Sequence, residues 1–225
     1  MQNYIDKAAS QDCMKNLHEM LPQIVAEPLL HSRMVNTLSR MEYVGTRKML
    51  KARNSARIDN DGLMHIIEEA SHALRLKRAA IKLNGGKEEG IATYSDEHTL
   101  AGDAAENYLQ QVDRACETIV ADCGLSFDDQ SEANYILSSV AIEVRADCFY
   151  PIYEQCLVEA GAPFSVSSIL KDEEQHLKEM SEKAVMLFGD NWRDVFDKAF
   201  AAESTFFIDW AKNIKDAACL STAAR

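Results

Sequence analysis

Residues 171–180 read K-D-E-E-Q-H-L-K-E-M, and within them Glu173 and His176 stand three places apart. On an α-helix that spacing puts both side chains on one face, about 5–6 Å from each other. Taken alone, such a polar run is a solvated helix face. The same spacing recurs in H-I-I-E-E-A-S-H, residues 65–72, where Glu69 precedes His72. With 19 glutamates among 225 residues, each of the six histidines has roughly an 8% chance of a glutamate three places before it. One such pair is therefore an even bet by chance, and two ask for a common reason.

A carboxylate upstream of each pair supplies one. Glu42 lies in L-S-R-M-E-Y-V-G, 27 residues before Glu69, and Glu143 lies in V-A-I-E-V-R-A-D, 30 residues before Glu173. Both sit in apolar stretches, where an ionised carboxylate is costly to bury without a partner.

Helical periodicity runs through the whole chain and no hairpin signal interrupts it. The pattern predicts helices over 4–22, 28–53, 60–84, 99–123, 128–160, 167–188 and 192–220. Pro28 suits a first turn, Asn60-Asp61 a start, Asn84-Gly85-Gly86 an end, Gly124 a stop, Asp128-Asp129 another start, and Ser165 or Ser167 the next cap. Residues 85–97 read as a polar loop. The expectation is an all-α bundle forming one domain over residues 1–225. An antiparallel hairpin of the second and third helices brings Glu42 and Glu69 to similar heights at ~1.5 Å per residue. The second pair matches less well, because Glu143 is 17 residues before 160 and Glu173 only six to eight past its helix start. A break at Pro151 is expected to make up the difference.

Glu42, Glu69-x-x-His72, Glu143 and Glu173-x-x-His176 together resemble the ligand set of the ferritin-like di-iron carboxylate proteins. The resemblance covers the core helices, about 28–84 and 128–188. It implies a ferritin-like four-helix bundle with additional flanking helices, holding two iron ions, or a manganese–iron pair, through those six residues. It gives Asp172 the role of a partner to a metal-bound histidine, which orients the ring. It further implies that dioxygen is a co-substrate. The ligand types suit two such ions, since four carboxylates offset the charge of a divalent pair. Oxygen and nitrogen donors also favour iron or manganese over copper(I).

Within that superfamily the chain is nearest in size and spacing to aldehyde-deformylating oxygenases, without a close whole-chain match. Six cysteines without a CxxC pair exclude a rubredoxin-type iron site and read as reduced thiols packed within helices. The N-oxygenases carry a histidine four places before the last Glu-x-x-His glutamate, where this chain has Ile169. The expected activity is oxidation of a small apolar or acyl-type molecule, with electrons from a separate reductase because no flavin or Fe–S motif is present. The alternative is a ferroxidase, for which iron itself is the substrate.

A net charge of −12 and a pI near 4.9 argue against nucleic acid as a partner. No apolar run approaches the ~18 residues of a membrane span, and the start M-Q-N-Y-I-D-K lacks a signal-peptide pattern. A cytoplasmic protein, by default a homodimer, is expected. Around the ligands, Leu38, Ser39, Gly45, Thr46 and Met49 share the Glu42 face, and Ile136, Ser139, Val140, Ala146 and Tyr150 the Glu143 face. Small residues beside large apolar ones suggest a channel next to the metals. His65 is a candidate seventh ligand or proton donor, Tyr43 and Tyr150 candidate relays, and Asp147 a further partner or a bundle salt bridge. His31 and His98 read as structural or exposed.

Overall fold

The computed structural model describes residues 1–52 and 58–223, apart from the side chains of Asp128 and residues 221–223. Among them are eight α-helices, two short 3-10 turns and no strand. The helices are α1 (Gln2–Ala9), α2 (Asp12–Ala26), α3 (Pro28–Ala52), α4 (Asn60–Leu83), α5 (Ala104–Ala121), α6 (Phe127–Glu159), α7 (Ser167–Phe188) and α8 (Trp192–Ala223). Two hairpins, α3–α4 and α6–α7, form a four-helix bundle, with α1, α2, α5 and α8 flanking it. The fold is all-α, as expected. No helix among the described residues is long and apolar enough to cross a membrane.

The α3–α4 hairpin is pinned by side chains that reach across to the other helix. Ser39 Oγ donates to the Ala73 carbonyl at 2.6 Å, and Ser32 Oγ to the Ala80 carbonyl at 3.0 Å. Seven residues back along α3 thus correspond to seven forward along α4, which is antiparallel register. It sets Glu42 level with Glu69. The helix α4 starts from Asp59, whose carboxylate accepts from Gly62 N at 2.8 Å, one residue ahead of the expected Asn60-Asp61. The expected end of α3 at Arg53 lies outside the described residues.

The second hairpin corrects the sequence reading. Pro151 sits inside α6 without interrupting it. The height mismatch is absorbed by residues 160–166, which double back along α6. Glu154 Oε1 accepts from Ser165 Oγ, and its Oε2 from Val166 N, both at 2.6 Å. Side chains on a helix lean toward its N-terminus, so Glu154 sets the start of α7 well below the end of α6. From that level Glu173 and Glu143 reach the same height. Ser165, one of the two expected caps, also accepts from Ser167 N at 3.1 Å.

Other boundaries differ for local reasons. The expected helix over 4–22 is two helices, parted at Ser10-Gln11, and Pro22 lies within the second. The expected helix over 99–123 begins at Ala104, since residues 96–98 form a 3-10 turn. Ser126 Oγ, ahead of the expected Asp128-Asp129, accepts from Asp129 N and caps α6. Gly124, with φ +68°, follows the end of α5 as expected. None of the six cysteines is in a disulfide, and only Cys219 is exposed.

Helix α6 is the central strut, packing against α1, α2, α3, α5, α7 and α8. That accounts for an apolar sequence without a single wet face. Buried charge on it is consequently paired. Arg145, 3% exposed, donates from Nε and Nη2 to the two oxygens of Glu203 on α8, both at 2.8 Å. Tyr108 of α5 donates to the same carboxylate at 2.8 Å, and Gln11 accepts from Arg145 Nη2 at 2.9 Å. His31 is structural, as expected: it is buried against the Tyr153 hydroxyl at 2.7 Å, and burial lowers its pKa to about 4, so the ring is neutral.

Candidate metal centre

The four bundle helices bring six side chains to one place. Glu42 comes from α3, Glu69 and His72 from α4, Glu143 from α6, and Glu173 and His176 from α7. All six are buried, none more than 9% exposed. Their donor atoms fall into two groups, each within 4.8 Å: Glu42, Glu69, His72 and Glu173 in one, and His65, Glu69, Glu143 and His176 in the other. Glu69 belongs to both. Two such groups sharing a carboxylate could hold a pair of metal ions.

The contacts inside the cluster have the spacing of donor atoms around a shared ion. His72 Nδ1 and Glu173 Oε1 approach to 3.1 Å, yet neither atom has a hydrogen-bond partner. Two donors on one ion at ~2.1 Å stand about 3 Å apart without bonding to each other. His176 Nδ1 lies 3.2 Å from Glu173 Oε2 and 3.5 Å from Glu69 Oε1. Both rings therefore aim Nδ1 inward.

The outward nitrogens are held by a pair of crossed braces. His72 Nε2 lies 3.0 Å from Asp172 Oδ2, and His176 Nε2 lies 2.9 Å from Glu68 Oε2. Each brace is the acid immediately before the Glu-x-x-His glutamate of the opposite helix. A carboxylate on Nε2 puts the proton there and frees Nδ1 for a metal. Asp172 thus lies against the outer nitrogen of His72. Glu68 is a residue of the cluster that the sequence reading misses, although E-E-x-x-H repeats D-E-x-x-H.

Without metal, the cluster divides its protons. Burial, with the charges of Glu69 and Glu173, raises the Glu42 carboxyl well above the usual range. Burial and the same two charges raise Glu143, which hydrogen-bonds Glu173. Burial pushes Glu69 and Glu173 up as well, but the surrounding imidazoles outweigh it and hold both low. Burial alone would lower the histidines. Their carboxylate neighbours instead raise His72 to about 9 and His176 to about 11.

The remaining candidates separate clearly. Tyr150 is buried and donates from its hydroxyl to Glu42 Oε1. His65 is at the site, with Nε2 3.5 Å from Glu69 Oε1, Nδ1 3.0 Å from the Tyr135 hydroxyl, and its ring 3.9 Å from that of His176. It precedes Glu69 by four, the offset that Ile169 occupies before Glu173. Tyr43 does not join them. Adjacent to Glu42 in sequence, it points away from the core, 45% exposed, and packs against Tyr94 and Arg47. Asp147 is half-buried, and burial with the charges of Glu174 and Glu173 raises its pKa.

A cavity of about 110 Å³ opens on the carboxylate side of the cluster, lined in part by Glu42, Glu69, Glu143 and Glu173. Of the faces expected to form a channel, Leu38, Gly45, Met49, Ser139, Ala146 and Tyr150 line it. Ser39 and Thr46 instead bond to backbone carbonyls, and Ile136 and Val140 belong to the packed core. Gly45 matters for close approach: a Cβ there would stand 3.3 Å from Glu69 Oε2. Gly45→Ala should leave the fold as stable or up to about 1 kcal/mol more so, through helix propensity. It should nonetheless weaken metal binding about tenfold by displacing Glu69, the scale seen when the support of a ligand is disturbed. Urea melts and a chelator competition measure the two opposite effects.

Comparison with protein-family models, with curated proteins and with solved structures finds no match for this chain, so its chemistry is read from the site itself.

Proposed function

We propose that this chain is a ferritin-like, non-haem di-iron enzyme that uses dioxygen to oxidise a small, apolar or acyl-type molecule. The observation that carries the reading is a buried four-carboxylate, two-imidazole cluster facing an apolar cavity. Glu42, Glu69, His72, Glu143, Glu173 and His176 would hold the two ions. Carboxylate and imidazole donors favour iron, or manganese with iron. When bound, the pair would supply reductive activation of dioxygen. For insertion of one oxygen atom into a C–H bond, the other atom leaves as water, and two electrons and two protons enter from outside. The sequence shows no flavin or Fe–S motif, and a separate reductase would be the electron source.

The protein's own residues do the rest. Asp172 and Glu68 fix the two rings through their outer nitrogens. Tyr150 holds a proton at Glu42 Oε1, beside the cavity. His65 and Tyr135 place a second exchangeable proton at Glu69. The apolar wall would exclude water around the reacting carbon, and Glu69, which belongs to both groups of donor atoms, would serve both ions.

The test is metal content by elemental mass spectrometry, followed by oxygen uptake. Wild-type protein loaded anaerobically should hold two irons per chain. Glu69→Ala, which removes the shared ligand, should hold fewer than about half an iron while keeping its helical circular dichroism. An unchanged metal content in that variant would remove the assignment. Turnover of many irons per chain without an organic substrate would replace the oxygenase reading by the ferroxidase one.

A further inference from the structure

The outer face of α4 has an apolar crest where a solvated helix would be polar. Leu63, Ile67, Ala70 and Leu74 fall at i, i+4, i+7 and i+11 of one stripe, on the side of the helix opposite His65, Glu69 and His72. Leu63, Ile67 and Leu74 are 50%, 59% and 50% exposed, Met64 beside them 46%, and Ala70 is exposed as well. Single exposed apolar residues are ordinary, but a contiguous patch marks a contact surface. The charges along the same helix are sorted by sign. Asp59 and Asp61 stand at its start, and Arg75, Arg78 and Lys82 in its second half. The helix dipole favours acids in the first turn and bases in the last, which accounts for Asp61 and Lys82. It does not reach Arg75, which donates to Ser168 of α7, or Arg78, which continues the apolar stripe.

We propose that this face of α4 is the contact between two copies of the chain, packed antiparallel about a two-fold axis that passes between Ile67 and Ala70. That order lays Leu63 against Leu74 of the copy and Ile67 against Ala70. In an antiparallel pair related by such an axis each flank of the helix meets the same flank reversed, so the acidic start of each α4 faces the basic end of the other. Parallel order would set Asp61 beside Asp61 and Arg78 beside Arg78, and like charges so placed oppose it. The chain as a whole carries −12, which repels a second copy over most of its surface. Along this face Asp59, Asp61 and Glu68 are balanced by Arg75, Arg78 and Lys82, so here two copies can approach. Glu68, close to the axis, is matched within its own chain by His176 at 2.9 Å. The 24 residues of α4 span about 36 Å. With α7 alongside at a helix spacing of about 10 Å, the face is on the scale of the ~800 Å² that each partner of a stable pair buries. The copy also closes over the seam between α4 and α7, where the side chains of Glu68 and Asp172 are 34% and 35% exposed, and shields both histidine braces from water. The pairing goes beyond the proposed function and holds or fails without it, since none of the six ligands takes part.

The test is sedimentation velocity of the full chain over a concentration series, with native mass spectrometry of mixtures. Wild type should sediment at twice the 25.2 kDa chain mass. Ile67→Glu puts two acids beside the axis at a position 59% exposed, and should weaken pairing about 100-fold while leaving the helical circular dichroism unchanged. Charge exchange tests the antiparallel order separately. Asp61→Lys alone, and Arg75→Glu with Arg78→Glu in one chain, should each weaken self-pairing about tenfold. An equimolar mixture of the two should form the heterodimer at wild-type strength, because each new charge then faces its opposite. A monomeric wild type, or a dimer that Ile67→Glu leaves intact, would overturn the proposal. A mixture that pairs no better than either variant alone would overturn the antiparallel order.

Discussion

Loading the metal-free protein with two divalent ions at pH 7 should release about four protons. The number follows from the division of charge in the cluster. Glu42 and Glu143 are held protonated by burial and by their charged neighbours. His72 and His176, raised to about 9 and about 11, are imidazolium. Glu69 and Glu173 are ionised. The six groups are then neutral as a set: two carboxylates against two imidazoliums. Two divalent ions bring four positive charges, and all six ligands must be unprotonated to bind them. Four protons leaving for four charges arriving keeps the buried cluster neutral, which a low-dielectric interior demands.

The direction of the pH dependence follows. Each of these four groups binds its proton more tightly folded than unfolded. These four therefore stabilise the metal-free fold at low pH and lose that contribution as pH rises, from about 4.5 for the carboxyls and about 6.5 for the imidazoles, while Glu69 and Glu173, held low, contribute the opposite way and lose theirs as pH falls below about 4.5. Metal affinity runs the opposite way, rising by up to about 10⁴-fold per pH unit for the pair of ions. The rise in Tm on adding metal should accordingly be small near pH 6 and large near pH 8.5. Calorimetric titrations in buffers of different ionisation enthalpy count the protons directly. Release of one proton or none would mean the six groups do not act as one ligand set.

How much of this is legible in the sequence depends on distance along the chain. The ligand pairs are, because i and i+3 on a helix are always neighbours, whatever the tertiary fold. Tyr150, seven residues after Glu143, is two turns on and shares its face, so periodicity finds it. Tyr43 is one residue from Glu42, which is about 100° around the helix, and proximity in sequence misplaces it. Glu68 carries a readable signal in the repeated acid before each Glu-x-x-His. It can be recognised only by treating the two halves as equivalent. Pro151 misleads because the height difference it is expected to explain is absorbed by the doubled-back segment 160–166. The Arg145–Glu203 pair, 58 residues apart and joined only by packing of α6 on α8, leaves no local pattern at all.

That pair is where the largest loss of stability is expected. Glu203→Gln keeps the shape and two of the hydrogen-bond positions but leaves the Arg145 guanidinium, 3% exposed, without its counter-charge. Removing one partner of a buried ion pair costs about 3–5 kcal/mol, mainly because the other charge is stranded. For a chain of this size that lowers Tm by about 10 °C. Tyr108 and Gln11, which meet at the same centre from α5 and from the start of α2, lose their anchor with it, so the flanking layer should loosen against α6. Replacing both charges, as Arg145→Met with Glu203→Met, removes the stranded charge and should recover most of the loss, since well-packed apolar pairs substitute for buried ion pairs at little net cost. Urea denaturation of wild type and the two variants compares them, and a Glu203→Gln effect below about 1 kcal/mol would place the pair among those worth little. Metal content should be unaffected in the double variant, because neither residue touches the six ligands.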